Sequence, residues 1–139
     1  MAYYQAMLPY NQNEMIEIRE SEPYSYCQFI MGKDHTAHGR ARHPWLTGSA
    51  GWFYTAATKY ILGIRPSYHG LIIDPCIPAD WAGFEVTRQW RGAIYQIRVK
   101  NPVRVMKNVH TVLLNGQPAA LPIPIQTNGS VNEIIVTLG

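Results

Sequence analysis

The chain has 139 residues, 47% of them hydrophobic and only 15% charged, with a net charge of +3; these values exclude a disordered chain and leave room for one domain, or a small domain with part of another. The positive charge is small and scattered, with no more than two Lys or Arg in any four residues, which argues against a nucleic-acid partner. No apolar stretch reaches the ~20 residues of a membrane span, and the N-terminus lacks the charged-then-apolar order of a secretory signal.

In chain order, Met1 to Leu8 reads as the end of a helix, stopped by Pro9 and the polar run Asn11-Gln12-Asn13. Glu14 to Glu20 alternates acidic residues with Met15, Ile16 and Ile18, a pattern that suits a short strand or an extended loop. Ser21-Glu22-Pro23 predicts a second helix start, with Pro23 at the first helical position and Gly32 as the stop. Tyr24, Cys27, Ile30 and Met31 keep helical spacing there, which turns Gln28 toward a different face. A loop from Lys33 to Leu46 leads to a third helix over about residues 49–62, ended by Gly63. That helix carries one charge, Lys59. A helix apolar on nearly every side must be buried on nearly every side, and two short helices do not supply that cover. Residues 1–63 are therefore expected to be the closing piece of a larger helical barrel or bundle, or else a face covered in a compact dimer. The low charged fraction points the same way, toward a surface covered by something else.

Residues 64–139 read as strand. LIIDP, GFEVTRQW, AIYQIRVK, HTVLLNG and NEIIVTL are short, rich in β-branched and aromatic residues, and bounded by Pro, Gly and Asn. Phe84, Val86, Arg88 and Trp90 alternate with Glu85, Thr87 and Gln89, and Arg91-Gly92 turns into Tyr95, Ile97 and Val99 alternating with Gln96 and Arg98. That predicts a β-hairpin with one wet face. Asn115-Gly116 and Asn128-Gly129 mark further turns, and prolines 118, 122 and 124 mark an edge or an irregular connection. The expected fold class is α+β, with an antiparallel, sandwich-like β domain.

The segment Gly39 to Trp52, GRARHPWLTGSAGW, concentrates the chemistry. Arg40, Arg42 and His43 stand just upstream of Thr47-Gly48, where the third helix begins. Amides at a helix start attract anions, Thr47 adds a hydroxyl, and Gly48 allows a ligand close to the backbone. A phosphate-like oxyanion is the natural guest; an ordinary helix cap beside a solvated basic loop is the plain alternative. His35, His38 and His43 with Asp34 match no zinc-ligand spacing, so no metal is expected. Cys27 and Cys76 are expected as reduced, buried thiols of a cytoplasmic protein. Glu20 and Glu22 flank a helix start, and Asp74 and Asp80 have the look of turn formers. The chain thus offers an anion cradle without proton-transfer machinery.

EPYSYCQF, PWLTGSAGW, YILGIRP and DPCIPADW, in that order, resemble the C-terminal end of the inverting cellobiose and chitobiose phosphorylases. The resemblance covers nearly the whole chain and weakens after Pro102. It implies the terminal helices of a truncated (α/α)6 catalytic barrel over 1–63 and a C-terminal β domain over 64–139. It also implies cleavage of a β-linked disaccharide by inorganic phosphate, with inversion, to an α-sugar 1-phosphate. By the same resemblance Thr47 and Gly48 match the family's Thr-Gly phosphate contact, and Gln28 matches its phosphate-binding Gln. The general acid, the remaining phosphate ligands and most sugar contacts fall in the barrel segment that has no counterpart here. The chain is accordingly expected to be an inactive fragment of a cytoplasmic, homodimeric enzyme that uses phosphate as co-substrate and needs no cofactor. A carbohydrate-binding or interaction module, with a sugar stacked on Trp81, Trp90 or Tyr95, is the alternative.

Overall fold

Two eight-residue strands, β5 (Gly83–Trp90) and β6 (Ala93–Lys100), joined through Arg91-Gly92, are the backbone on which the larger half is built. Arg91 and Gly92 both take positive φ, +49° and +79°, the paired left-handed geometry that matches a two-residue turn to the twist of its strands. A Cβ at position 92 would lie 1.9 Å from Asn128 Oδ1, so that side chain would have to move, and the positive φ favours glycine there. The structure, a computed structural model, describes residues 1–139 and comprises two compact units, Met1–Thr55 and Ala56–Gly139. It is mixed α+β, with more sheet than helix.

In the second unit, β7 (Val109–Leu114), β8 (Gln117–Pro118) and β9 (Val131–Leu138) complete a five-stranded sheet in the order β5-β6-β9-β7-β8. β9 lies between β6 and β7, parallel to the first and antiparallel to the second. The expectation of an all-antiparallel arrangement is therefore corrected at that one junction. Both neighbours of β9 come from earlier in the chain, and the connection back from β8 brings it in alongside β6 in the same direction.

The period-two pattern sorts the sheet into two faces. Ala93, Tyr95, Ile97 and Val99 of β6 and Ile134, Val136 and Leu138 of β9 are buried, while Gln96, Arg98, Lys100 and Glu133 are exposed. A short antiparallel ribbon, β3 (Ile64–Pro66) with β4 (Leu71–Ile73), adds Ile64, Leu71 and Ile73 to the same core, and Ile77 and Ile123 join them from irregular backbone. Each such side chain contributes about 1.5–3 kcal/mol by leaving water. The predicted wet-faced hairpin is present: Glu85 ion-pairs with Arg98 at 2.6 Å on the exposed face. Pro118 sits on the edge strand β8, and the stretch with prolines 122 and 124 is tied down by the Leu71–Ile123 bridge.

In the first unit, α1 (Ala2–Ala6) is followed by a 3-10 helix (Pro9–Met15) and the one-turn α2 (Ile16–Arg19). The strand or extended loop expected over Glu14–Glu20 is thus helical. Ile16 and Ile18 remain exposed, so their alternation serves no sheet face, and Glu20 ends the turn at φ +52°. The helix predicted after Pro23 is also corrected. Residues 21–26 are irregular and Cys27–Ile30 forms β1, paired antiparallel with β2 (Ala41–Pro44) inside the stretch read as loop. Backbone bonds from Met31 N–H to the Arg40 carbonyl and from Gly39 N–H to the Met31 carbonyl, both 3.0 Å, close the ribbon. The helix expected over 49–62 is α-helical only in α3 (Ser49–Thr55); Ala56–Ile61, in the second unit, is π-helical. No residue of α3 is buried, and Trp52 is 75% exposed. Neither cysteine is buried as expected: Cys27 is half-buried, Cys76 exposed, and both are free thiols. No helix is long and apolar enough to cross a membrane.

Candidate functional site

The approach to α3 departs from ordinary backbone. His43 and Trp45 both take positive φ, +48° and +74°, in the left-handed region that non-glycine residues seldom occupy. This bent segment, which includes Pro44, delivers Thr47 to the start of the helix. Thr47 Oγ1 accepts the Ser49 N–H at 3.2 Å and shares a 2.9 Å hydrogen bond with Ser49 Oγ. The Gly48 carbonyl accepts the Trp52 N–H at 3.1 Å, the first bond of the helix, which makes Gly48 the N-cap. The amides of the first turn have no acceptor within the helix. A Cβ built at Gly48 would sit in ordinary contact with the Trp52 ring, at 3.7 Å.

Gln28 lies on β1, between Cys27, paired with Pro44, and Phe29, paired with Arg42. Its side chain is exposed and lines a hollow of ≈ 360 Å³ together with Met7, Arg19, Ser49 and Phe53. Gln28 and the first residue of α3 thus border one space, and Thr47 is bonded to that residue. The β1–β2 ribbon brings this about, because it folds residue 28 back beside the segment entering the helix. Tyr26 and Tyr4 pack on Phe53, with ring centroids 4.8 and 5.0 Å away, and close the apolar side. Burial, and after it the neighbouring Tyr4, push the Tyr26 phenol above its ordinary range.

The basic residues flagged upstream are dispersed. Arg40 is ion-paired to Glu20. His43 lies against Phe29, with ring centroids 5.8 Å apart. His35 Nδ1 accepts the Ala37 N–H at 2.9 Å, and no three His, Cys, Asp or Glu residues converge as metal ligands do. The Glu22 carboxyl is held below the usual carboxylate range, first by its own backbone N–H and next by the Trp45 side chain.

One group bordering the hollow has no motif to announce it. Arg19 is 5% exposed; its Nη1 donates to the Glu22 carbonyl at 3.3 Å, its Nη2 to the Ser25 carbonyl, and its buried Nε has no partner. In the sequence it is one arginine in a polar run, and only its burial distinguishes it. Of the aromatic residues considered as sugar platforms in the second unit, Trp81 is exposed and the other two are engaged with the core. Tyr95 is completely buried and its hydroxyl accepts the Gln126 N–H, while Trp90 faces the core beside it, 6.0 Å between centroids.

Comparison with known proteins adds kinship to this geometry. Residues 1–63 match the family described as the Glycosyl hydrolase 94 superfamily, catalytic domain. The chain is 60% identical, over all 139 residues, to an N,N'-diacetylchitobiose phosphorylase of Vibrio proteolyticus and 57% identical to one of Vibrio furnissii; the match covers 17% of each relative. A solabiose phosphorylase of Paenibacillus borealis is 29% identical over 136 residues, 97% of this chain and 18% of that protein. The chain therefore spans about a sixth of the length of the curated relatives it matches.

Proposed function

Because this chain is a relative, along its whole length, of disaccharide phosphorylases, we propose that it is the C-terminal part of such an enzyme and furnishes part of its phosphate site. The reaction is inverting phosphorolysis of a β-linked disaccharide of the cellobiose or N,N'-diacetylchitobiose class, the second favoured by the nearer relatives. The 60% identity to a segment of the Vibrio proteolyticus enzyme, over all 139 residues of this chain, carries the reading. Residues 1–63 are then the last helical part of an (α/α)6 catalytic barrel and 64–139 a β domain appended to it. The exposed Trp52 and Leu46, 75% and 71% accessible, suit a surface that other barrel helices cover.

In this reading the phosphate oxygens take hydrogen bonds from the Gln28 amide, the Thr47 hydroxyl and the backbone at Gly48. Held behind the anomeric carbon, the phosphate forms its O–C1 bond on one face as the glycosidic C1–O bond breaks on the other. The departing sugar oxygen takes its proton from a carboxylic acid outside these 139 residues. The products are an α-sugar 1-phosphate and a free sugar. Phosphate occupies the place of the base-activated water in an inverting hydrolase, so no second carboxylate is needed. The enzyme works without metal or cofactor, in the cytoplasm, as a homodimer.

The test replaces the matching segment of the Vibrio proteolyticus enzyme with these 139 residues. Phosphate-dependent release of sugar 1-phosphate from N,N'-diacetylchitobiose is expected from the chimera and not from the 139-residue chain alone. In the chimera Thr47→Val or Gln28→Ala should raise the phosphate KM about tenfold, since a hydrogen bond to a charged group contributes about 1.5–3 kcal/mol. The disaccharide KM should stay unchanged. Equal losses toward both substrates, or turnover by the separate chain, would refute the assignment.

A further inference from the structure

Arg19 presents an electrostatic problem that the fold of the first unit leaves open. An arginine keeps its charge in almost any surroundings, and a cation removed from water is costly unless an anion or enough acceptors attend it. Arg19 is 5% exposed, yet no carboxylate forms an ion pair with it. Glu20, next in sequence, is committed to Arg40. Glu22 is the carboxylate that feels the Arg19 charge, as the least of the influences lowering its pKa, and its own Oε2 is buried without a hydrogen-bond partner, so the two are not joined in an ion pair. Two backbone carbonyls hold the guanidinium rigidly by Nη1 and Nη2, but a carbonyl is a dipole and does not neutralise a full charge. The Nε remains buried and without an acceptor. The residue borders the same hollow as Gln28 and Ser49.

We infer that Arg19 is a further member of the oxyanion site, a prepositioned cation whose missing counter-charge is the phosphate dianion held by Gln28 and Thr47. The inference rests on the phosphate reading proposed above. It adds to that reading the one component absent from Gln28, Thr47 and Gly48, which are all neutral. Neutral donors alone orient an anion; a fixed cation in a partly desolvated hollow also offsets its charge, and does so more strongly than the same cation in water. The carbonyls of Glu22 and Ser25 hold the guanidinium in place before the ligand arrives, so little side-chain entropy is lost on binding.

The experiment uses the chimeric enzyme and two substitutions that separate charge from shape. Arg19→Gln keeps donors and removes the charge; it should raise the phosphate KM at least about tenfold and leave the disaccharide KM unchanged. Arg19→Lys keeps the charge and should recover most of that loss. Equal impairment by both substitutions, or parallel losses in kcat and both KM values, would identify a purely structural arginine and overturn the inference. Gln28→Ala and Thr47→Val serve as reference variants. If they leave the phosphate KM unmoved, the phosphate reading itself fails; if they raise it and Arg19→Gln does not, only the role of Arg19 fails. Should the Arg19 variants not fold, a crystal of the unsubstituted chimera with tungstate decides. An oxyanion on Gln28 and Thr47 within about 4 Å of the guanidinium supports the inference, and one farther away overturns it.

Discussion

The two units of this chain differ in whether their large apolar side chains gather into a buried core. Each buries two polar residues, Arg19 and Ser25 in the first and Asn101 and Asn132 in the second. Residues 56–139 bury Tyr95, Leu71, Ile123 and Ile134 completely and keep Lys100, Arg98 and Glu133 outside. Residues 1–55 expose Tyr3, Leu46 and Trp52. A core of the first kind stabilises a fold by itself. An arrangement of the second kind stores its apolar surface for another partner. In the proposed phosphorylase those two solutions correspond to an appended domain and to the wall of an active site.

Separating the two units tests this contrast most severely. Residues 56–139 expressed alone should unfold in one cooperative urea transition, and residues 1–55 alone should show none; a cooperative first unit would break the comparison. Single substitutions should sharpen it. Ile134→Ala should cost about 2–5 kcal/mol in urea denaturation of the chain, whereas Trp52→Ala should shift stability by no more than about 0.5 kcal/mol. Gly92→Ala should cost more than about 1 kcal/mol, because the new Cβ meets Asn128 and the turn requires a positive φ. The smallest effect is expected at Glu22. Its folded-state pKa is lowered, so its contribution is present above the ordinary carboxylate range and is lost as pH falls through the lowered value. The Trp45 indole N–H resonance, followed by NMR, should therefore shift only at pH values below that range.

The second unit was legible because its signals are local. Alternation from Phe84 to Val99 sorted the faces of β5 and β6, and Arg91-Gly92 announced the turn between them. The parallel join of β6 to β9 has no such local sign, since it depends on which distant strand arrives beside Ile94 to Lys100. In the first unit local signals misled. Pro23 and Gly32 bracket a plausible helix, yet Cys27–Ile30 is drawn into a strand by hydrogen bonds from Ala41–Pro44, ten residues farther on, and tertiary pairing overrides the caps. Thr47 and Gly48 stood out as a helix start beside basic residues, whereas Gln28 was reached only through family resemblance; spacing alone would have left it on a helix face. Arg19 could not be singled out at all, because its distinction lies in burial and in carbonyls supplied by the irregular chain at Glu22 and Ser25.

The central place of β9 also bears on how the sheet assembles. The β5–β6 hairpin can close through its own two-residue turn, and β7 can fold back on β8 as readily, but neither ribbon joins the other until Val131–Leu138 enters between them. Until that long-range event, the inner edge of each hairpin is unsatisfied and open to other strands. Assembly should therefore run as two fast local steps followed by one slow insertion, and the interval before the insertion is when the chain is most exposed to aggregation.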